Sequence, residues 1–211
     1  MSYQLACYVV CLMTLSSSWL GTTQKNGFGA KTEVHTQPFA IRDLIDLRIA
    51  ELAKAGMVVP FCEECVQPCS YDVHLGVNVV IETQTGFKEL SLVNSSPDNP
   101  YWLQPGQFLL GETVEYFRIP DNVEAHLHLV SSRAREGLNH SLSGLIDCGY
   151  EGRITLEIKN VLTYGAIPLY PNLRIAQLTF FEYADSAARP YRGRYFGDVG
   201  VAVAKDGKDI L

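Results

Sequence analysis

The chain has 211 residues, 47% hydrophobic and 19% charged, so it can bury one core but is short for two full domains. Its net charge of -6 excludes the broad basic surface needed along a nucleic-acid backbone, although a few local cations suffice for a small anionic ligand. The six irregularly spaced cysteines indicate reduced thiols, as in a cytoplasmic protein, and not a disulfide framework.

The first predicted element is an N-terminal extension. Residues 4–14 (LACYVVCLMTL) are apolar, but they lack the basic start of a secretory signal and are too short to span a bilayer. Residues 15–38 are rich in Ser, Thr, Gly and Gln and show no periodicity. We therefore predict that residues 1–38 form an extension or linker that need not be ordered, with no membrane partner. An export signal is the alternative interpretation.

The next element is a helix, followed by many strands. Apolar residues recur at three- and four-residue steps from Ile41 to Ala55, which predicts a helix ending at Gly56. Runs rich in β-branched and aromatic residues follow, separated by Gly, Pro, Asn and Asp. They are VHLGVNVVIE, FLLGETVEYFRI, EAHLHLV, ITLEIKNV and LRIAQLTFFEY. This pattern predicts a mainly β fold, a sandwich or a barrel-like sheet, with one N-terminal helix.

Two clusters have the composition of metal sites. Cys62 and Cys65 have the spacing of zinc ligands, and Cys69 and His74 are near them in sequence. A second well-spaced pair of ligands is missing, so we interpret these cysteines as reduced, semi-buried thiols and keep a zinc site as the alternative. His126 and His128 would share one face of a strand but have no third ligand. We predict no metal held by the protein itself.

Five segments, in this order, carry a family resemblance. They are residues 70–76 (SYDVHLG), 131–138 (SSRAREGL), 144–152 (GLIDCGYEG), 155–157 (TLE) and 174–178 (RIAQL). Together they resemble the trimeric dCTP deaminase and dUTPase superfamily, and the deaminases most. Each motif alone would be weak, but the ordered set spans about residues 40–200.

The resemblance implies both an architecture and an assembly. Residues 39–187 would form a dUTPase-like β-clip, or distorted β-barrel, with one N-terminal helix. Residues 188–211 would form a C-terminal lid over the nucleotide. The protein would be a homotrimer whose sites lie between subunits.

The resemblance also implies a reaction. The leading hypothesis is a dCTP deaminase that hydrolyses dCTP to dUTP and ammonia, on the way to dUMP and dTTP. Mg²⁺ would accompany the phosphates, and no zinc would take part, since no histidine has Glu two residues later as the zinc-dependent deaminases require. The alternatives are a bifunctional deaminase/dUTPase or a dUTPase giving dUMP and pyrophosphate, and a non-catalytic trimeric structural or regulatory module.

The resemblance assigns catalysis to three residues. Glu157 would move the protons when water attacks the C4 carbon of cytosine. Ser131 and Arg135 would orient that water and hold the base or the carboxylate. From pattern alone the same residues would be a strand carboxylate in a salt bridge, a turn hydroxyl and a surface cation.

Nucleotide binding is assigned in the same way. Asp147 would meet the 3′-hydroxyl of deoxyribose, and Tyr150 would pack under the sugar and exclude a 2′-hydroxyl. The remaining implied nucleotide contacts are Ser132, Thr155, Leu156, Tyr191, Arg194 and Asp198.

Several positions depart from the family pattern. Val130 replaces an Arg that contacts phosphate, which removes a bidentate donor. Asp198 stands where Gln is expected and would repel a triphosphate if it faced one. Ser143 replaces an Ala beside the water, and His74 and Arg194 replace an Arg and a Lys. Phosphate recognition is therefore the part of the site that differs most from the family.

Overall fold

The computed structural model describes residues 41–140 and 143–205. The predicted extension at residues 1–38 and the last six residues of the predicted lid lie outside these ranges. Within them, no helix has the length and apolar character needed to cross a membrane.

The described residues form thirteen strands and two short α-helices. In chain order these are β1 (Arg42–Asp43), α1 (Asp46–Leu52), β2 (Val58–Val59), β3 (Val66–Gln67), β4 (Ser70–Thr83), β5 (Gly86–Ser91), β6 (Tyr101–Leu103), β7 (Phe108–Arg118), β8 (Val123–Leu129), α2 (Ser131–Arg135), β9 (Leu138–His140), β10 (Leu145–Ile146), β11 (Glu151–Asn160), β12 (Ile167–Leu169) and β13 (Arg174–Glu182). The predicted mainly β fold is confirmed, and all five predicted strand runs lie in long strands.

Eleven strands make one curled antiparallel sheet, in which β10, β8, β13, β4, β7, β11 and β9 are successive neighbours. The 14-residue β4 belongs to both parts of this sheet. Near its start Tyr71 pairs with Leu178 of β13, and near its end Val79 pairs with both β5 and β7. The register shifts between Leu75 and Val79, where the strand passes from one set of partners to the other. β12 and β6 form a separate two-stranded sheet.

The core is formed by one face of the strands together with α1. Along β11, buried and partly exposed residues alternate, as expected for a strand with one face in the core. Leu156 and Ile158 point inward, while Thr155 and Glu157 point to the opposite face. This alternation leaves one face of β11 available for a site.

The N-terminal helix is shorter than predicted. Residues 42 and 43 pair with β13 instead, and the amide of Leu44 donates to the carbonyl of Phe180 at 2.9 Å. The sheet therefore satisfies this backbone before the helix begins at Asp46. The helix continues as a π-helical turn, and Gly56, with φ of 108°, ends it as predicted. The second helix, α2, was not predicted, because five residues are too few to show helical periodicity.

Candidate active site

The structure contains a cavity of about 930 Å³ beside the outward face of β11, which we name the β11 cavity. It is lined by β11 and β7, by Phe87 of β5, by Ser143, β10 and the turn that follows β10, and by the segment after β13. Its lining includes Phe87, Phe108, Leu110, Ser143, Asp147, Tyr150, Arg153, Thr155, Glu157, Tyr191, Tyr195, Asp198 and Ala202.

Glu157 lies at the apolar end of this cavity. Leu110 is its cross-strand neighbour on β7, and Phe108 also lines this end, with its ring 6.4 Å from that of Phe87. Among the described residues, none hydrogen bonds the Oε2 atom of Glu157, although that atom is buried. A buried polar oxygen without a partner costs free energy. Glu157 is therefore a carboxyl group placed to accept a bond from a ligand.

The turn before β11 forms another wall. The hydroxyl of Tyr150 donates to the carbonyl of Arg153 at 2.7 Å, and the ring lies 5.8 Å from that of Tyr191. Burial raises the pKa of the Tyr150 hydroxyl, which keeps it neutral. Gly152 has φ of 146°, and a Cβ there would lie 2.9 Å from the Tyr150 hydroxyl. The turn thus requires glycine to bring Tyr150 against β11, while Asp147 is exposed at the cavity edge.

Residues 190–205, which we name the C-terminal flap, cover the cavity. Asp198 forms a parallel bridge with Gly152, and the amide of Arg153 donates to the Asp198 carbonyl at 2.8 Å. Further along, the amide of Ala202 donates to Oγ1 of Thr155 at 3.1 Å. The flap is therefore attached to the strand that carries Glu157.

The carboxylate of Asp198 is neutralised within the flap. Lys205 Nζ lies 2.9 Å from its Oδ2 and also donates to the carbonyl of Arg194. Arg194 in turn donates from Nη1 to the carbonyl of Lys205 at 2.7 Å, so its guanidinium holds the flap together and does not line the cavity. The repulsion expected from Asp198 is reduced by this pairing.

Other residues assigned by resemblance lie elsewhere in the subunit. Ser131, Ser132 and Arg135 are exposed on α2, outside the β11 cavity. The side chain of Leu156 is in the core, so only its backbone can serve a ligand. Val130, which precedes α2, is buried and offers no donor from its side chain.

Several cavity residues were missed by sequence reasoning. The two-residue period of the strand places Arg153 on the cavity face once Glu157 is placed there. Phe87, Phe108 and Leu110 lie on other strands, and their approach depends on pairings that no local pattern specifies. Tyr195 falls within the predicted lid but was not singled out.

Within the part of the chain that the structure describes, the cysteine and histidine clusters do not bring together three or more side chains that could hold a metal ion. The Cys62 thiol donates to Glu64 at 3.3 Å, and burial raises the pKa of Cys65 to about 12. His74 faces Glu115, with Nδ1 2.7 Å from Oε1. The rings of His126 and His128 lie 6.5 Å apart on β8.

Comparisons with known proteins match this region of the chain. A family model described as dCTP deaminase-like covers residues 42–183. The dCTP deaminase, dUMP-forming, of Beutenbergia cavernae is 40% identical over 177 residues, which is 76% of this chain and 91% of that protein. The protein of the same name from Clavibacter michiganensis subsp. michiganensis is 36% identical over 180 residues, covering 77% and 89%.

One solved structure shares the fold. The crystal structure of 2′-deoxycytidine 5′-triphosphate deaminase from Agrobacterium tumefaciens superposes with a TM-score of 0.56 at 20% sequence identity. The match covers 67% of this chain but only 49% of that one. The family match begins at β1 and extends just past β13, so it includes the cavity strands and leaves the flap outside.

Proposed function

Because this chain belongs to the dCTP deaminase-like family, we propose that it hydrolyses dCTP to a deoxyuridine nucleotide and ammonia in the β11 cavity. The observation that carries the proposal is the position of Glu157. Its buried carboxylate oxygen, which has no hydrogen-bond partner among residues 41–140 and 143–205, lies at the apolar end of a cavity of about 930 Å³. An apolar end suits a pyrimidine ring, and one carboxyl group there suits proton transfer.

In the proposed reaction, water adds to the C4 carbon of cytosine. Glu157 accepts the proton of that water and delivers it to N3, which gives a tetrahedral C4 carrying a hydroxyl and an amino group. Glu157 then moves the hydroxyl proton to the amino group, the C–N bond breaks, and ammonia leaves a C4 carbonyl. The nucleotide gains one oxygen from water and loses one nitrogen as ammonia, with no zinc in the scheme.

Ser131 and Arg135 are proposed to complete the site from a neighbouring subunit of a homotrimer. Both are exposed on α2 and cannot line the cavity of their own subunit as it stands. Arg135 would supply donors where negative charge develops during attack on C4. Ser131 would orient the water, and Ser132 would contact the nucleotide.

Asp147 and Tyr150 are proposed to select deoxyribose. Asp147 is exposed at the cavity edge, where a sugar hydroxyl can reach it, and the partly buried ring of Tyr150 would form the surface under the sugar. Thr155 and the backbone of Leu156 would contact the base, and Tyr191, Arg194 and Asp198 would act as the flap closes. Mg²⁺ would arrive bound to the nucleotide phosphates, since no group of three metal-ligating side chains is found in residues 41–140 and 143–205.

We further propose that the product is dUMP. Two relatives that match this chain over most of its length are named dUMP-forming, which favours the bifunctional alternative over release of dUTP. In the second step water would attack the α-phosphate, Asp147 would accept its proton, and pyrophosphate would leave.

The test is a product assay with purified protein, dCTP and Mg²⁺, resolved by chromatography. We expect dUMP, pyrophosphate and ammonia from the wild type and no conversion by Glu157→Gln. Glu89→Gln, which changes an exposed carboxylate on β5, is the matched control and should behave as the wild type.

Each other outcome identifies an alternative. Accumulation of dUTP would identify a deaminase without the second step. Hydrolysis of supplied dUTP, with dCTP left intact, would identify a dUTPase. No change in either nucleotide would leave the non-catalytic trimeric module as the better description.

A further inference from the structure

A buried carboxylate lies behind the wall of the β11 cavity. Glu112, on β7, is 1% exposed. Asn78 of β4 donates to its Oε1 at 2.8 Å, and Arg153 of β11 donates from Nη1 to its Oε2 at 3.1 Å. Three neighbouring strands therefore cooperate to hold one guanidinium at the cavity surface.

The fold makes room for this carboxylate at one glycine. A Cβ on Gly76 would lie 2.6 Å from Cγ of Glu112, closer than any side-chain contact allows. Removing the Glu112 carboxylate from water is costly, and an apolar side chain would fill the same space without that penalty, whereas Arg153 stays partly exposed. The arrangement therefore suits a purpose beyond packing, which is to fix the position of Arg153.

The cavity lining has more carboxylates than cations, which is unusual for a site that binds an anionic ligand. Its lining residues include the carboxylates Asp147, Glu157 and Asp198. Arg153 is the single positively charged residue among the described residues of the lining. Within the described chain its side chain bonds Glu112 through Nη1 alone, so Nη2 and Nε keep donors for a ligand.

Position along the strand indicates which part of a ligand Arg153 would meet. Arg153 and Glu157 share one face of β11 and are four residues apart, about 13 Å at the usual rise of a strand. With cytosine at Glu157 and deoxyribose on Tyr150, as proposed, the 5′ end of the nucleotide would extend toward Arg153 and the flap. Arg153 is bonded there to the flap through its own amide.

We infer that Arg153 binds the phosphate chain of the nucleotide and that Glu112 is its positioning residue. The inference rests on the proposed function, since it needs a cytosine nucleotide in the β11 cavity. Guanidinium groups bind phosphate oxygens through two parallel hydrogen bonds, which matches the donors that Arg153 keeps. Arg153 would thereby supply, from within the same subunit, a phosphate contact that Val130 cannot.

The test is binding without turnover. In the Glu157→Gln background, dCTP affinity is measured by calorimetry for Arg153→Met and for Arg118→Met. Arg118 is the matched control, because it is an exposed arginine on β7 that pairs with Glu151 outside the cavity. We expect Arg153→Met to weaken dCTP binding about 10- to 100-fold, as for loss of charged hydrogen bonds, and Arg118→Met to leave it unchanged. Deoxycytidine, which has no phosphate, should bind both variants equally.

Glu112 is tested by steady-state kinetics in the otherwise unaltered protein. Glu112→Gln should raise KM for dCTP several-fold while kcat stays within about twofold, because it loosens a binding contact and not the chemistry. Arg153→Lys keeps a positive charge and should recover part of the affinity lost in Arg153→Met. Circular dichroism of each variant confirms that it is folded.

Two results would overturn the inference in distinguishable ways. If Arg153→Met binds dCTP as tightly as Arg118→Met, Arg153 is only a structural ion-pair partner and the proposed function stands. If the wild type and Glu157→Gln both fail to bind dCTP, the proposed function fails and this inference fails with it.

Discussion

Gly76 packs directly against Glu112, the buried carboxylate behind the cavity wall. A Cβ at this position would meet Cγ and Cδ of Glu112 at 2.6 and 3.3 Å, and Glu112 is itself buried. We expect Gly76→Ala to lower the free energy of unfolding by about 1–3 kcal/mol, as overpacking of a buried site does. Urea unfolding measures this change.

The control is Gly200→Ala, because a Cβ on Gly200 would meet no atom within 4 Å. That variant should unfold at the same urea concentration as the wild type. Equal stability of both alanine variants would show that Glu112 can move aside.

His74 gives the molecule a pH-dependent contribution to stability. A hydrogen bond to Glu115 raises the pKa of His74, against the opposing effect of burial. A raised pKa in the folded state means that protonation favours folding. The contribution is complete below the ordinary histidine pKa of about 6.5 and is lost as pH rises through the raised pKa of the folded protein.

We therefore expect a larger stability difference between the wild type and His74→Gln at about pH 6 than at about pH 9. Gln keeps a donor for Glu115 but cannot gain a proton. Urea unfolding of both proteins at the two pH values measures the difference. A stability difference that stays constant, or that grows toward high pH, would show that the His74–Glu115 ion pair does not stabilise the fold.

The site was only partly predictable at this scale. Resemblance singled out Asp147, Tyr150, Thr155, Glu157, Tyr191 and Asp198, and all six line one cavity. The strand period places Arg153 on the same face as Glu157, but its pairing with Glu112, 41 residues away in sequence, has no local signal.

At the scale of elements, the C-terminal flap depends on one lysine. Lys205 bonds the carboxylate of Asp198 and the carbonyl of Arg194, and its ammonium lies 5.1 Å from the centre of the Tyr195 ring. We expect Lys205→Met to release this end of the flap, so that amides near residue 198 exchange with solvent faster. Hydrogen exchange read by mass spectrometry measures the rate.

Lys159→Met is the control for the flap, because Lys159 is exposed near the end of β11 and does not line the cavity. Its exchange pattern in the flap should match that of the wild type. Unchanged exchange in Lys205→Met would mean that the backbone bridge at Gly152 alone holds the flap.

Strands were more predictable than helices. The strand runs alternate or stay apolar over seven or more residues, which gives a clear period, and each lies in β4, β7, β8, β11 or β13. The residues before α1 have helical spacing but pair with β13, because the sheet offers their backbone a partner. Spacing within one segment carries no information about a partner strand more than 130 residues away.

At the scale of the whole molecule, the exposed α2 leads to a prediction about assembly. If Arg135 of one subunit serves Glu157 of the next, Arg135→Ala and Glu157→Gln should each be inactive alone. When the two variants are unfolded together and refolded as mixed trimers, about a quarter of the sites combine both native residues. We expect about that fraction of wild-type dCTP conversion.

The control for assembly is the same pair of variants mixed without refolding, which should stay inactive if subunits do not exchange. Sedimentation should give a mass of three chains of 23.4 kDa. A refolded mixture that remains inactive would place Arg135 and Glu157 in the same subunit, whereas activity of Arg135→Ala alone would remove Arg135 from the site.

The shared strand β4 also constrains how the protein can be made by the ribosome. Its first part pairs with β13, which ends at Glu182, so more than 90 residues must be synthesised after β4 before the partner of that part exists. During this time that part of β4 has an edge without its β13 partner, and edges of this kind promote association with other chains. The sheet can therefore be completed only after β13 has left the exit tunnel, whereas local hairpins could pair as they are made.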